Sequence, residues 1–356
     1  METDAFFTCL AELRQGRPCV LATILRRDGS APRDAGATMA VLENGRTVGT
    51  VGGGALEYQT VQRAMTCLRE RRSALPDYRL APGASSLDMV CGGNVTVLCH
   101  FVAPEDENAR STLAAMEAAG KDAGSMWLVR RVRTGEMSID MGLYAKGDGK
   151  DRDSGVCLAG GGAEPPVVPA ALLGRRAALT EGPETLFVQP LRLAGHAYVF
   201  GGGHVAQRLV PLLKELEFSP VVVEDRPEFA TRERFPQAEA IILGSFASIG
   251  DSLTLAPEDA AVIMTRGHAY DDLLLNQVLR SPAWYVGLMG SRSKVAATRA
   301  YLLGQGFSEA DIARLHTPIG LAIGAETPAE IAVSVAGEMV LCRASLLPAS
   351  DQPRMP

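Results

Sequence analysis

The stretch Ala197-Tyr198-Val199-Phe200-Gly201-Gly202-Gly203-His204-Val205-Ala206 constrains this chain more than any other. A short apolar run enters three glycines, and an amphipathic segment follows without a gap. Gly201, Gly203 and Ala206 fit the G-x-G-x-x-A form of the dinucleotide fingerprint. The first glycine allows the tight turn, the second lets backbone approach a pyrophosphate, and the small third residue lets helix pack on strand. Val205, Leu209, Leu212, Leu213 and Leu216 then fall at i, i+4, i+7, i+8 and i+11, one apolar face at helical period. Pro211 inside that helix removes a backbone hydrogen bond and should kink it. Ser219-Pro220 ends the helix, and Val221-Val222-Val223-Glu224-Asp225 supplies the second strand, closing on the acidic pair expected to meet a ribose hydroxyl. The glycines alone are a weak signal. Strand, glycines, helix, strand and acid in register predict a Rossmann-type unit.

The chain of 356 residues is long for a single core, and about two domains are expected. A net charge of −6 leaves no basic footprint for nucleic acid and no polybasic membrane patch. No apolar run reaches membrane-spanning length, and the acidic start Met1-Glu2-Thr3-Asp4 is wrong for a signal peptide. The expectation is a soluble, cytoplasmic protein. Seven cysteines without a C-x-x-C pair form neither a disulfide framework nor a zinc site, and most should be small buried hydrophobes. Cys99 and His100 are adjacent on an expected strand, so they point to opposite faces and not to one metal.

The first half reads as α/β with an antiparallel component. A helix over 4–15 precedes a strand at 18–25, a polar loop through Ser30 and Gly36, and a hairpin turning at Glu43-Asn44-Gly45-Arg46. Gly52, Gly53 and Gly54 then stand between a strand and a helix. Three glycines there are costly in chain entropy and suit a helix N-terminus whose amides approach an anion, or a turn forced by packing. Glu57 in the first turn is either a functional carboxylate or a favourable helix charge. A second glycine turn carries Cys91, Gly92 and Gly93, a context where a thiolate could reach a ligand or metal. Residues 1–145 are taken as the N-terminal domain and 146–190, rich in glycine, aspartate and proline, as a poorly ordered linker with a short edge element at Thr185–Val188. Residues 191–350 are taken as the Rossmann-like domain. In it, His268 lies in a polar loop at a strand end, ahead of a helix over 272–279 capped by Asp271. Gly290, Ser291 and Arg292 open another helix, where cations oppose the macrodipole unless an anion binds.

Taken in order, Gly49-Thr50-Val51-Gly52-Gly53-Gly54-Ala55-Leu56-Glu57, Cys91-Gly92-Gly93, Val199-Phe200-Gly201-Gly202-Gly203-His204-Val205-Ala206 with Asp225-Arg226-Pro227, Gly287-Leu288-Met289-Gly290-Ser291-Arg292, and Ile323-Gly324-Ala325-Glu326-Thr327-Pro328 resemble the XdhC/CoxI family. These are accessory proteins of xanthine dehydrogenase and related molybdenum hydroxylases. The resemblance spans nearly the whole chain apart from 146–182. It implies an N-terminal XdhC/CoxI domain and a C-terminal Rossmann domain. It also implies binding of molybdenum cofactor (molybdopterin or its dinucleotide form), protection during sulfuration, and delivery to an apo-hydroxylase. A homodimer and a cysteine desulfurase partner belong to the same expectation. Cys91 falls where the family's cofactor-binding, metal-ligating cysteine is expected. Asp34 departs from the family's basic residue after Ser-x-Pro-Arg.

No nucleophile–base–orienter constellation of hydrolase type is visible, which favours binding and hand-over over catalysis. The alternative is an NAD(P)-dependent oxidoreductase that uses Gly201, Gly203 and Asp225 for the cofactor and His268 as acid–base. It leaves the triple-glycine and Cys-Gly-Gly turns without a purpose. A nucleotide-sensing module needs only the second half and leaves them equally unexplained.

Overall fold

Strand alternation and helical period sort the chain into layers that the computed structural model describes for residues 2–29, 31–80, 93–119, 125–147, 153–174, 176–180, 182, 184–191, 195–251, 253–266 and 268–345. Contacts divide the chain into two units, Met1–Leu193 and Ala194–Pro356.

Unit 1 opens with α1 (Glu2–Arg14), β1 (Cys19–Asp28), β2 (Thr38–Leu42), β3 (Thr47–Gly49), α2 (Gly54–Glu70), β4 (Asp77–Arg79) and β5 (Asn94–Val102). These strands form an antiparallel sheet in the order β3-β2-β1-β5-β4. On β1, Val20, Ala22 and Ile24 pack with Leu56, Ala64 and Cys67 of α2, while Cys19 and Leu21 join α1 on the other face. After α3 (Glu107–Ala119) come β6 (Met126–Arg133), β7 (Ser138–Lys146), β8 (Ser154–Gly160), β9 (Val168–Pro169), β10 (Ala178–Leu179) and β11 (Thr185–Leu191). They make a second antiparallel sheet, β10-β11-β6-β7-β8-β9. Leu128, Met141 and Leu143 of this sheet share one core with α1, α3 and the first sheet.

The linker expectation for 146–190 is therefore corrected: the stretch supplies β8 to β11 and a 3-10 turn at Ala170–Leu172, and the element expected at Thr185–Val188 is the start of β11, an interior strand and not an edge. Its glycines are there for close approach. Gly160, Gly161 and Gly162 have φ of +70°, +84° and +79°. A Cβ would collide with the Thr112 hydroxyl at Gly160 and lie 2.8 Å from Pro165 Cβ at Gly161.

Unit 2 runs β12 (His196–Phe200), α4 (His204–Glu215), β13 (Ser219–Glu224), β14 (Ala240–Leu243), β15 (Ala260–Ile263), α5 (His268–Val278), β16 (Tyr285–Leu288), α6 (Arg292–Gly304), α7 (Glu309–Ile312), β17 (Leu315–His316) and α8 (Pro328–Ser345). All neighbours are parallel and the order is β14-β13-β12-β15-β16-β17, the 3-2-1-4-5-6 arrangement of the doubly wound fold. Ala197 and Val199 face α4 and α8, whereas Tyr198 and Phe200 face α5 and α6. Pro211 sits inside α4. One helix start differs: α5 begins at His268, so Asp271 lies in its first turn, where it accepts from Thr265 Oγ1 at 2.6 Å. Among the described residues no helix is long and apolar enough to cross a membrane.

Candidate functional site

β12 delivers the chain into the glycine turn at the carboxyl edge of the unit 2 sheet. Gly201 has φ of +108°, and a Cβ there would sit 2.5 Å from the Met264 carbonyl oxygen. Only glycine fits this close strand-to-strand approach. Gly203 is the N-cap of α4 and supplies no side-chain cap, so amides of the first helical turn stay available to an anion. A crevice of about 300 Å³ opens here, lined among others by Gly203, His204, Asp225, Phe246, Arg266 and Met289.

The acidic pair at the end of β13 divides its work. Glu224, which the sequence did not separate from Asp225, turns inward and accepts from the Gly202 amide at 2.6 Å. It also accepts from the amides of Asp225 and Arg226 and from Arg226 Nε at 2.8 Å and Nη2 at 3.0 Å. Burial pushes its carboxyl upward, but hydrogen bonds from Arg226, Asp225 and Gly202 win and hold it at about 2. The Gly202 amide is thus taken out of any anion cradle. Asp225 lines the crevice: its Oδ1 is buried without a hydrogen-bond partner, 3.7 Å from Arg226 Nε, and its Oδ2 lies 3.6 Å from Arg266 Nη2. Burial, then the neighbouring Glu224, raises its carboxyl above the usual range. A buried carboxylate oxygen that accepts no hydrogen bond, beside an uncapped helix N-terminus, fits a ribose hydroxyl next to a phosphate. The ring of Phe229 is clasped by Arg226 at 3.7 Å and Arg234 at 4.5 Å, and Arg234 Nη2 donates to the Gly202 carbonyl at 3.2 Å. This clasp, with no sequence signal of its own, stiffens the turn from outside.

Other expected residues fall apart from that crevice. Met289 lines it, but Gly290 and Ser291 do not. Ser291 caps α6 by position only, its hydroxyl paired with Ser293 at 2.7 Å. The side chains of His268 and Arg292 lie outside the described residues.

In unit 1 the Gly52, Gly53 and Gly54 turn has φ of +124°, +72° and +59°. A Cβ on Gly52 would lie 2.7 Å from Pro32 Cβ, so the turn is packed against the 31–36 loop. Glu57 is drawn into the turn: its Oε2 accepts from the Thr50 hydroxyl, from Gly53 N at 3.1 Å and from Val51 N at 3.3 Å. Gly52 N donates to Thr50 Oγ1 at 3.0 Å. The open amides that remain are those starting α2, where no side chain caps. Asp34 is neutralised by Arg27 at 2.7 Å. Cys91 and Gly92 lie outside the described residues, and the Gly93 carbonyl accepts from Leu80 N at 2.7 Å. Among the described residues no three His, Cys, Asp or Glu side chains are grouped to hold a metal ion.

Two family models match the chain: the XdhC and CoxI family over residues 12–79 and the XdhC Rossmann domain over residues 197–339. A relative from Bacillus subtilis (strain 168), named as a probable xanthine dehydrogenase subunit, is 27% identical over 95% of this chain and 97% of its own length. The molybdenum cofactor insertion chaperone PaoD of Escherichia coli (strain K12) is 34% identical over 25% of this chain and 28% of its own length. A crystal structure described as a xanthine dehydrogenase from Bacillus halodurans shares the fold with a TM-score of 0.75 at 24% identity, covering 97% of this chain and 96% of that one.

Proposed function

For this chain, which belongs to the XdhC and CoxI family, we propose a non-catalytic role: it binds molybdenum cofactor, shelters it during sulfuration and passes it to a xanthine dehydrogenase-type hydroxylase. The observation that carries this reading is the unit 2 crevice. It pairs uncapped helix amides with a buried Asp225 oxygen that has no hydrogen-bond partner, a donor and acceptor set suited to the phosphate and ribose of a dinucleotide cofactor. The name of the PaoD relative, a molybdenum cofactor insertion chaperone, supports the accessory role, and that of the Bacillus subtilis relative supports a link to xanthine dehydrogenase. The unit 1 turn would meet the pterin phosphate through the amides that start α2. When bound, the cofactor supplies the molybdenum chemistry of its client; the residues here only hold and orient it. Cys91 is proposed as its soft metal ligand. A cysteine desulfurase would provide sulfur, and the working form is a homodimer in the cytoplasm.

The crevice alone would also suit a nicotinamide dinucleotide, so the test compares ligands. Calorimetry of the full chain with a molybdopterin dinucleotide and with NAD should show the former binding more tightly. Asp225→Asn should weaken that binding roughly tenfold or more, the cost of a hydrogen bond to a charged acceptor. Tight NAD binding with no response to the pterin compound would transfer the assignment to a nicotinamide-dependent oxidoreductase.

A further inference from the structure

Arg130 on β6 is fully buried, and among the described residues it has no carboxylate partner. It rests between the rings of Phe6 at 5.8 Å and Phe187 at 5.5 Å, and its Nε has no hydrogen-bond partner. A cation stripped of water and left unpaired is expensive, so its surroundings must use it. Two hydrogen-bond chains leave the guanidinium. In one, Nη1 donates to Thr23 Oγ1 at 2.7 Å, Thr23 meets Thr38 Oγ1 at 3.0 Å, and Thr38 donates to the Gly36 carbonyl at 2.9 Å. In the other, Nη2 donates to Gln189 Oε1, and Gln189 Nε2 donates to the same Gly36 carbonyl at 2.7 Å.

Arginine can only donate, so it fixes the direction of every bond in both chains. Gln189 must turn its oxygen to Arg130 and its amide nitrogen to Gly36. Thr23 must spend its proton on Thr38. Both chains converge on the last residue of the 31–36 loop, whose Pro32 lies against the Gly52 turn. Burial, and then the charge of Arg130, also holds the neighbouring His100 down at about 3, so the imidazole is neutral and adds no second charge.

We infer that Arg130 is the positioning residue of the unit 1 site: acting through Thr23, Thr38 and Gln189, it fixes the 31–36 loop against the 52–54 turn and places an uncompensated positive charge behind the bound anion. The anionic ligand rests on the functional reading above; the hold on the loop does not.

The experiment measures amide hydrogen exchange and molybdopterin binding for the full chain, Arg130→Met, Arg130→Lys and Thr38→Val. At an effective dielectric of about 20, removing a unit charge would change affinity roughly tenfold if the anion lay on the order of 10 Å away. Arg130→Met should lose about that much and speed exchange at 31–36 and 50–54 while β7 and β8 stay protected. Arg130→Lys replaces the planar fork that spans both chains with a single ammonium, so loop exchange should rise while affinity, read below the pH at which the buried amine gives up its proton, holds within a few-fold. Thr38→Val breaks one chain and should loosen the same loop with a smaller binding loss. Unchanged loop exchange with wild-type affinity in Arg130→Met would overturn the inference. So would loss of protection across all of unit 1 in the two milder variants, the mark of a purely structural role. If the unaltered chain binds no molybdopterin, the functional reading fails instead, and the exchange comparison still decides whether Arg130 holds the loop.

Discussion

Glu224→Gln probes the glycine turn through pH. In the folded chain the carboxyl lies at about 2, against 4.5 for an ordinary glutamate, because the side chains of Arg226 and Asp225 and the Gly202 amide outweigh the cost of burial. A depressed carboxyl contributes stability that is complete above the unfolded value and disappears as pH falls through the folded one. The difference corresponds to about 3 kcal/mol at pH 7 and shrinks to about 1 kcal/mol at pH 3. Glu224→Gln keeps an oxygen near Gly202 but loses the charge facing Arg226. The variant should therefore trail the wild type by about 3 kcal/mol at pH 7, by about 1 kcal/mol at pH 3, and converge with it below pH 2. Urea unfolding, followed by tryptophan fluorescence from Trp284 of unit 2 with Trp127 replaced by Phe, reads the gap. A gap that stays constant from pH 7 to pH 3 would refute the reasoning, because the carboxylate would then not be what fastens the turn.

Gly201→Ala forces an L-residue to φ of +108° with its Cβ 2.5 Å from the Met264 carbonyl oxygen. It should cost roughly 2–4 kcal/mol and lower the melting temperature of unit 2 by about 5–10 °C in calorimetry. Glu57→Gln removes the charged acceptor shared by Thr50, Val51 and Gly53. A loss of about 1–2 kcal/mol is expected in urea unfolding, with exchange rising first at the 50–54 amides; an unmoved turn would show that Glu57 is free for a ligand.

The Rossmann unit was legible because its signals are local. The apolar period of α4, the glycines at 201–203 and the acid at the end of β13 all lie within one short stretch. The second sheet of unit 1 was harder. β8 exposes Val156 and Leu158 and carries glycine, the edge strands β9 and β10 are two residues each, and β11 pairs with β6 far back in the chain, so the stretch reads as a linker. Side-chain roles were least legible. Either member of the Glu224-Asp225 pair could have met a ligand, and only the register of β13 shows that Glu224 points into the turn. Glu57 bonds backward to a turn whose shape depends on Pro32. Arg130 sits in the run Trp127-Leu128-Val129-Arg130-Arg131-Val132, where alternation sends one arginine inward, and its partners lie 107 and 59 residues away.

The carrier role itself is tested most directly by metal and pterin analysis of the full chain co-expressed with the cofactor pathway, beside Cys91→Ala. The account predicts molybdenum and pterin near one per chain in the wild type and loss of both in the variant, as a thiolate ligand requires. A wild type that purifies without either, yet binds a nicotinamide dinucleotide tightly, would contradict it.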